Sequence, residues 1–379
     1  MCTELVLRYM DKPVVSRMEM SFEESLDFPA VTICNLNMLK RKTLRQKRLR
    51  QVILGLEKRR LHREMGKPEQ RVNTTNTNTT EESIQQHIQT MESSRKESLL
   101  SKARNSGERE ILSNVGFDSS SFETKFLDKI LKSIPEHHLS KIGHGLDEML
   151  KHCRWSTFSC TKGSLRGLWR HFWHWKYGNC YIFNSGVAQD GRKLPVMKID
   201  RAGPYSGLEM DIFIDQGQYT SLTDEAGVRV VLTDQTRMPF PFDEGFSVPT
   251  GFSTSVGVRK RYIKRVDPYL NNSCVDENRT EMETHNIYRD KYHMNYSFQA
   301  CRMSCLATKQ VEVCNCSEPR FPDNSSACFS SQQNECIRQV KAKFTRTGLD
   351  CVAKCPQPCL ENTFRYTFQV LAGQRHSMQ

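Results

Sequence analysis

The sequence lacks any long apolar run. No stretch of its 379 residues approaches the roughly 18 apolar residues that a membrane-spanning helix needs. The first residues, Met1-Cys2-Thr3-Glu4, are not a basic region followed by an apolar stretch, so we expect no signal peptide in this sequence. Only 37% of the residues are hydrophobic and the mean hydropathy is −0.61, so much of the chain must face water.

The motifs of common catalytic and cofactor sites are absent too. The sequence contains no G-x-S-x-G, no P-loop, no G-x-G-x-x-G and no H-E-x-x-H. It has no C-x2-C, the cysteine knuckle that zinc sites usually contain. We therefore expect no enzymatic activity, no cofactor and no bound metal.

Positive charge is abundant but unevenly distributed. The formal net charge is +12, and residues 40–63 alone hold eleven basic residues and one acid. A nucleic-acid surface needs basic residues spread over a folded face with stacking aromatics between them, and this segment has no aromatics. A solvated helix face explains the run best. The alternatives are a protease-processing site at Arg45, Lys47 and Arg48, or a patch that binds a membrane surface or nucleic acid.

Cysteine is the residue type that most restricts the function. Ten of the fifteen cysteines lie between Cys274 and Cys359, a density typical of oxidising compartments. The Asn-x-Ser/Thr sequons agree with an extracellular location, although each one alone is a weak signal. We expect glycosylation at six of them and none at Asn315, which lies between two cysteines. The six are Asn73, Asn78, Asn271, Asn278, Asn295 and Asn324. An extracellular chain without its own targeting signal suggests a fragment whose targeting helix lies upstream.

Hydrophobic periodicity predicts an α+β fold. Residues 12–37 alternate and predict a strand, whereas 40–65, 81–103 and 122–152 have helical spacing. Three further strands are expected around 208–214, 228–232 and 251–261. The aromatic cluster of Trp169, Phe172, Trp173 and Trp175 is interpreted as core packing. From about 285 onwards we expect helices and short loops held together by cysteines.

The spacing of the clustered cysteines favours disulfides over zinc. Residues four apart lie on one helix face, and this relates Cys301 to Cys305 and would relate Cys351, Cys355 and Cys359 if their helix continued. Two such helices packed antiparallel would form a ladder. Cys314 and Cys316 are two residues apart, the spacing of side chains on one face of a strand. If the chain then ran back alongside this strand, the two cysteines would pair with two later ones, one pair enclosed within the other. The favoured pairs are Cys305–Cys351, Cys301–Cys355, Cys274–Cys359, Cys316–Cys328 and Cys314–Cys336. Ten cysteines allow roughly nine hundred pairings, so spacing favours this set without deciding it.

Three motifs carry a resemblance to a known family. Residues 28–35, Phe-Pro-Ala-Val-Thr-Ile-Cys-Asn, are followed by Tyr-Gly-Asn-Cys-Tyr-Ile-Phe-Asn at 177–184. The run Cys301-x3-Cys305-x8-Cys314-x-Cys316 and Cys355-Pro-Gln-Pro-Cys359 come later. In this order, over residues 7–366, they resemble the extracellular region of the epithelial sodium channel, degenerin and acid-sensing channel family.

The resemblance implies a fold and an assembly. It implies a trimer of identical or different subunits, each with a mixed-sheet palm and β-ball inside and a helical finger and disulfide-rich helical thumb outside. The expected boundaries are 1–39 for the first membrane-proximal palm strands, 40–175 for the finger, 176–268 for palm and β-ball, 269–359 for the thumb, and 360–379 for a truncated return into the palm.

The resemblance also implies particular residue pairs. It supports the five clustered disulfides and adds Cys34–Cys180 and Cys153–Cys160, which leaves Cys2 unpaired at the membrane boundary. Tyr269, near the start of the thumb, is expected to contact Tyr9, just outside the first membrane helix, although the family usually has Trp at the former position.

This sequence departs from the acid-sensing members of the family. Those members carry carboxylates in the β-ball facing carboxylates in the thumb, and crowded carboxylates have raised pKa values. Here Gly217 and Gln218 occupy the β-ball positions, and Arg338 and Ala342 occupy the thumb positions. We therefore expect gating by a peptide, a protease or mechanical force, or constitutive opening, rather than by an acidic pocket.

Two functions from different classes follow. The favoured one is the extracellular gating region of an amiloride-sensitive, sodium-selective channel at the plasma membrane, with sodium ions and the bilayer as partners through membrane helices that this sequence omits. The alternative is a secreted or shed cysteine-rich binding module without channel activity. No nucleic-acid partner is expected.

Overall fold

The computed structural model describes most of the chain apart from residues 44–130 and several shorter gaps. The described residues are 10, 16–43, 131–132, 134–203, 206–220, 223, 225–266, 274–275 and 286–372. Residues 44–65 of the helix predicted at 40–65, the helix predicted at 81–103 and the first part of the one at 122–152 lie outside this set. Within the described residues, no helix combines the length and apolar character required to cross a bilayer.

The described part of the chain is a mixed α+β structure, as the periodicity predicts. Its strands are β1 Leu26–Asp27, β2 Ala30–Asn35, β3 Leu150–Trp155, β4 Phe158–Ser159, β5 Trp169–His174, β6 Gly178–Phe183, β7 Lys198–Ile199, β8 Leu208–Ile212, β9 Gly227–Thr233, β10 Phe246–Pro249, β11 Phe252–Lys264, β12 Cys274–Val275, β13 Gln357–Pro358 and β14 Leu360–Ala372. Its α-helices are α1 Glu136–Ile142, α2 Leu146–Met149, α3 Pro241–Glu244, α4 Ile287–Tyr292, α5 Phe298–Cys314, α6 Ser331–Thr347 and α7 Cys351–Lys354.

A five-stranded sheet in the order β10-β9-β2-β6-β5 forms the centre of the fold. Every residue of β2 and of β6 is buried, because other elements cover both faces of the sheet. The antiparallel register places Cys34 directly opposite Cys180, with Cα atoms 4.4 Å apart, and a disulfide joins them. The two motifs that carry the family resemblance are therefore neighbouring strands.

A smaller sheet, β4-β3-β8, lies beside the central one. Its inward side chains share a hydrophobic core with the five-stranded sheet, in which Met149 and Phe183 are fully buried. Trp155 and Trp169 both lie against the Phe183 ring. Phe172 and Trp173 pack in two other hydrophobic clusters, so the predicted packing role holds for Trp169, Phe172 and Trp173.

A long two-stranded ribbon is formed by β11 and β14. The two 13-residue strands pair antiparallel over their whole length, from Phe252 opposite Ala372 to Lys264 opposite Leu360. The predicted strand at 251–261 is thus correct and extends to Lys264. We refer to this element as the ribbon.

Residues 286–359 form a helical unit containing α4 to α7, which we call the cystine-braced unit. It follows β11 in sequence and returns directly into β14. Its core is continuous with one side of the five-stranded sheet, since both contribute buried residues to one cluster.

Several sequence predictions need correction. Of the strand predicted at 12–37, the described residues 16–37 form strand only in β1 and β2, and residues 16–25 are exposed with no strand partner. The helical pattern at 122–152 ends at α2, and β3 begins at Leu150.

Two arguments from cysteine spacing are also wrong in detail. Helix α7 ends at Lys354, so Cys359 follows strand β13 and shares no helix with Cys351. Cys314 is the last residue of α5 and Cys316 follows its cap, so these two do not lie on one strand.

Candidate functional site

Helices α5 and α7 are joined side by side by two disulfides. Cys301 and Cys305 lie one turn apart on α5 and bond to Cys355 and Cys351, each pair with Cα atoms 5.7 Å apart. Four residues complete about one helical turn, so both sulfurs leave the same face of α5. Cys301, Cys351 and Cys355 are nearly inaccessible to solvent. The short helix α7 is thereby held rigidly against α5.

The C-terminal end of α5 is joined to α6 and to the loop between them. Asn315 caps α5 in the left-handed conformation, with φ of 55°, and this reverses the chain between two cysteines. Cys314, before the cap, bonds to Cys336 on α6, and Cys316, after it, bonds to Cys328. The cap lets two sequence neighbours reach different partners.

Local capping fixes where the helices of the unit begin and end. The Ser297 hydroxyl oxygen accepts a hydrogen bond from the Ala300 amide at the start of α5. Ser330 and Gln333 form a capping box at the start of α6. Gly348 ends α6 with φ of 69°, where a Cβ atom would come within 2.3 Å of Val352. The chain therefore turns sharply into α7.

A half-buried carboxylate connects α5, α6 and the loop between them. Glu318 accepts hydrogen bonds from Gln310 of α5 at 2.8 Å and from Lys341 of α6 at 2.9 Å, and it pairs with Arg320. Burial alone would raise the pKa of Glu318, but Arg320 and these two donors hold it below its ordinary value. The carboxylate is thus kept charged where it crosslinks the helices.

The connection between the cystine-braced unit and the ribbon is compact. Cys274 and Cys359 form a disulfide, so the strand that follows β11 and the residue that precedes β14 are tied together. The Cys359 amide donates to the Val275 carbonyl at 2.7 Å, and its own carbonyl accepts from the Arg265 amide at 2.7 Å. The Arg265 guanidinium donates to Glu361 at 2.8 Å. We call this group of residues the junction.

A second contact holds the unit against the five-stranded sheet. The Tyr288 and Tyr292 rings of α4 are buried edge-on against Phe240 and Phe172, respectively. Arg170 of β5, only 2% exposed, donates to the Tyr292 carbonyl. Burial lowers the pKa of Arg170 below its ordinary value. One side of the unit is therefore fixed, while the junction connects it to the ribbon.

Two partly buried carboxylates lie where the ribbon leaves the central sheet. Asp234, just after β9, accepts a hydrogen bond from the Asn362 side chain of β14 at 2.8 Å. Burial raises the pKa of Asp234 and also that of Glu244, which pairs with Arg237 at 2.6 Å. Polar contacts thus continue from the central sheet to the first residues of β14.

A buried polar network surrounds the end of β2. Asn37, which is fully buried, donates from Nδ2 to the Leu39 carbonyl at 2.7 Å and contacts His144 Nε2 at 2.8 Å. Its Oδ1 atom accepts from the Thr220 amide at 3.1 Å. Gln218 accepts a hydrogen bond from the Lys42 amide. The network joins three segments that are far apart in sequence.

We expect His144 to make stability depend on pH. Burial, followed by the charge of Lys40, lowers the pKa of His144 to about 4. As the pH falls below about 6.5, the unfolded chain binds a proton that the folded chain binds only near pH 4, so stability should drop by about 2–3 kcal/mol. Chemical denaturation of the wild type near pH 7.5 and pH 4.5 measures the total loss, to which His174 also contributes because burial lowers its pKa to about 3. In His144→Gln the loss should be smaller by about 2–3 kcal/mol. The exposed His137→Gln is the control, and equal pH dependence in all three proteins would contradict the assignment.

Many of the site residues predicted from the sequence lie in the described part of the chain. The seven disulfides among the described residues are all pairs that the sequence analysis names. Gln218 is buried and Gly217 is exposed in a short 3₁₀ turn, while Arg338 and Ala342 are exposed on α6, where Arg338 pairs with Glu335. The side chains of Asn295 and Asn324 are exposed.

The remaining predicted site residues lie outside the described part of the chain. They are Tyr9, Tyr269, Asn73, Asn78, Asn271, Asn278, Arg45, Lys47 and Arg48. Their expected roles therefore stay predictions.

Sequence reasoning missed the polar residues of the junction and of the network around Asn37. Arg265 and Glu361 are 96 residues apart, and Asn37 and Gln218 are 181 apart. Asparagine at the end of a buried strand, as at Asn35, or just after it, as at Asn37, was a usable signal, because a buried amide needs several partners. Nothing in the local sequence indicated which partners these would be.

Comparison with known families agrees with this architecture. A family model described as the amiloride-sensitive sodium channel matches residues 1–379 of the chain. The chain belongs to the amiloride-sensitive sodium channel family. The resemblance inferred from the three sequence motifs is thereby confirmed, and the chain is a member of a sodium channel family.

The family relatives are moderately similar. The chain is 28% identical to the degenerin unc-8 of Caenorhabditis elegans over 249 residues, which are 64% of this chain and 30% of that protein. It is 32% identical to the degenerin-like protein asic-1 of Caenorhabditis elegans over 51% of this chain and 22% of that protein. It is 27% identical to the epithelial sodium channel subunit gamma of Rattus norvegicus over 61% of this chain and 34% of that protein. These matches cover about a fifth to a third of the relatives' length.

Proposed function

We propose that this chain is the extracellular gating region of one subunit of a trimeric, amiloride-sensitive sodium channel at the plasma membrane. Membership in the family supports this proposal, as do seven disulfides, which suit an oxidising compartment. Its partners are identical or related subunits, and sodium ions and lipid meet the membrane segments of the complete gene product. The assembly, the ion and the location are parts of the proposal.

The proposal assigns the parts of the fold to the family's named regions. The cystine-braced unit corresponds to the thumb at 269–359. The ribbon and strands β2, β6, β9 and β10 of the central sheet correspond to palm segments within 1–39, 176–268 and 360–379. The helical finger is expected within 40–175, but β5 of the central sheet and strands β3 and β4 of the smaller sheet also lie in that range, so the palm and the β-ball would extend into its last part. A contact between Tyr9 and Tyr269 would link the thumb to the membrane-proximal chain. The order of the elements supports this assignment.

The junction is the main structural support for the proposed gating mechanism, in which movement of the cystine-braced unit is transmitted to the ribbon. A stimulus that displaces the unit can reach the pore only through material stiff enough to transmit the movement. Five disulfides within residues 274–359 make the cystine-braced unit and its junction stiff enough to act as a lever. Each such bond typically stabilises a fold by about 2–4 kcal/mol. The Cys274–Cys359 bond and Arg265 then pass the displacement to β11 and β14 together. The ribbon carries it towards the rest of the palm.

The stimulus is proposed to be a peptide, a protease, mechanical force or constitutive opening rather than protonation of a carboxylate pocket. Gln218 cannot titrate, and its side chain is engaged with the Lys42 amide at 3.0 Å. Arg338 on α6 is a fixed positive charge paired with Glu335. Neither position supplies the crowded carboxylates that a proton switch requires.

A rapid acid step should therefore leave the channel almost unaffected. With the complete gene product in oocytes, lowering the external pH from about 7.4 to about 5 should change the amiloride-sensitive current by less than about twofold. The variant Glu335→Gln, which removes the remaining carboxylate near Arg338, should behave like the wild type. A large acid-activated current that this variant loses would contradict the proposal.

The function itself is tested by recording from oocytes that express the complete gene product. We expect a sodium current that amiloride blocks, appearing alone or with a related subunit, and changed by a candidate peptide, protease or membrane stretch. Surface labelling in the same cells establishes that the protein reaches the plasma membrane. Surface-expressed protein that gives no amiloride-sensitive current under any of these conditions would overturn the proposal.

A further inference from the structure

Three arginines converge on one face of the ribbon. Arg259 and Arg261 lie two residues apart on β11, so their side chains leave the same face of the strand. Arg365 of β14 is directly opposite Arg259, and directly opposed side chains share a face with their Cβ atoms about 5 Å apart. The side chains of Arg259 and Arg365 are exposed, and that of Arg261 is partly buried. Three positive charges are thus gathered within reach of one small group.

No acid of the ribbon neutralises these arginines. Within the described residues, none of the three guanidinium groups has a hydrogen bond or an ion pair. Glu361 is the one carboxylate of the two strands that lies on this face, and it binds Arg265 at 2.8 Å instead. Directly opposed like charges destabilise a strand pair. The face therefore carries an uncompensated positive charge that a bound anion would offset.

Two threonines flank Arg365 on the same face. Thr363 and Thr367 each lie two residues from Arg365 along β14, so all three side chains point to one side. Thr363 is opposite Arg261, and Thr367 is opposite Gly257. A Cβ atom at position 257 would lie 3.1 Å from the Thr367 hydroxyl oxygen, so the glycine keeps the space beside that hydroxyl open. The face thus combines three guanidinium groups and two hydroxyls with an open space next to them.

The arginine face is the one that points away from the central sheet. The opposite face of the ribbon carries Tyr366 and Phe368, whose rings lie 4.5 and 5.8 Å from the ring of Phe246 on β10. Asn362, on that same opposite face, donates to Asp234 just after β9. The ribbon therefore rests on the central sheet through its apolar face, which leaves the arginine face open to a ligand.

We propose that the arginine face of the ribbon binds a tetrahedral oxyanion, a phosphate or sulfate group, between Arg259 and Arg365. Arginine suits such groups because its planar guanidinium donates two parallel hydrogen bonds to their oxygens. Arg261 supplies a third positive charge, and the Thr363 and Thr367 hydroxyls donate from the β14 side. The inference goes beyond the proposed channel function, since it requires only the folded chain.

The first test is isothermal titration calorimetry of the disulfide-bonded chain with inorganic sulfate at constant ionic strength. The wild type should bind sulfate, and Arg259→Gln with Arg365→Gln should weaken the binding at least about tenfold. The matched control removes two charges elsewhere. Lys343→Gln with Arg346→Gln, on exposed positions of α6, should change the affinity less than about twofold. Absence of sulfate binding at millimolar concentration, or equal weakening in the control, would overturn the proposal.

The threonines separate a built site from general charge attraction. Thr363→Val with Thr367→Val keeps the shape and the charge but removes both hydroxyl donors, so sulfate should bind at least about threefold more weakly. Gly257→Ala should weaken binding too, because its Cβ atom crowds the Thr367 hydroxyl. Thr345→Val with Thr347→Val on α6 is the control and should bind sulfate like the wild type. Wild-type affinity in both ribbon variants would mean that charge alone attracts the ion, and the proposal would fail.

Two further titrations identify the source of the group. Inorganic phosphate represents a free ion, and a sulfated heparin hexasaccharide represents ester groups on an extracellular polysaccharide. If the hexasaccharide binds at least about tenfold more tightly than sulfate and sulfate displaces it, the group is carried by a polymer. Equal affinities assign the face to a free ion, and either result upholds the oxyanion site. A hexasaccharide that binds the Arg259→Gln, Arg365→Gln chain as tightly as the wild type would contradict it.

Discussion

Replacing Cys274 and Cys359 together by serine is expected to uncouple the cystine-braced unit from the ribbon. The four other disulfides of the region remain, so the unit itself should fold. The backbone hydrogen bonds of Cys359 remain as well, but they break and reform readily, whereas the covalent bond fixes the junction. In the complete gene product, the response of the amiloride-sensitive current to its stimulus should fall at least about fivefold, while surface expression stays within about twofold.

A matched control separates coupling from general loss of disulfides. Cys153 and Cys160 also form a disulfide, but it closes a seven-residue interval beside the smaller sheet and does not touch the junction. Replacing both by serine should leave the stimulus response within about twofold of the wild type, because no lever passes through that bond. A junction variant that responds like the wild type would show that the disulfide does not transmit movement.

Replacing Asn37 by leucine is expected to cause the largest loss of stability among single polar substitutions. The amide of Asn37 serves partners in three segments, including the Gln218 carbonyl and the Thr220 amide. Leucine would leave these buried groups without hydrogen bonds, and each such group costs about 1–3 kcal/mol. We expect a loss of about 4 kcal/mol or more, measured by urea denaturation of the disulfide-bonded chain.

The control for this prediction is a glutamine on the surface. Gln332 is exposed in the first turn of α6, and Gln332→Leu should change the free energy of unfolding by less than about 0.5 kcal/mol. Losses of similar size in both variants would mean that leucine at a polar position, rather than the broken network, causes the effect. A stable Asn37→Leu protein would show that the network is not required for the fold.

The pattern of cysteines made the covalent framework predictable, although for partly mistaken reasons. Helical spacing pointed to Cys301–Cys355 and Cys305–Cys351, and α5 does present its two cysteines on one face. Cys359, by contrast, lies beyond α7, because Pro356 and Pro358 cannot continue a helix. The resemblance to the family supplied what spacing left open.

Long-range polar contacts were not predictable from the sequence. Whether Arg265 contacts Glu361, or Arg170 contacts the Tyr292 carbonyl, depends on how distant segments pack, and the local sequence does not determine that packing. Residues 16–25 show that a strand-like local pattern is likewise not enough to predict a strand. Their alternation is a genuine strand pattern, but a strand forms only where another strand supplies its hydrogen bonds.

Disulfide mapping of the chain expressed in a secretory compartment tests the central claim most directly. Proteolysis without reduction, followed by mass spectrometry, should recover linked peptides for Cys274–Cys359, Cys301–Cys355 and Cys305–Cys351, together with the two pairs at the end of α5. That result would establish a cystine-braced unit tied to the ribbon at one junction. Free thiols or exchanged partners among these ten cysteines in folded protein would contradict the account.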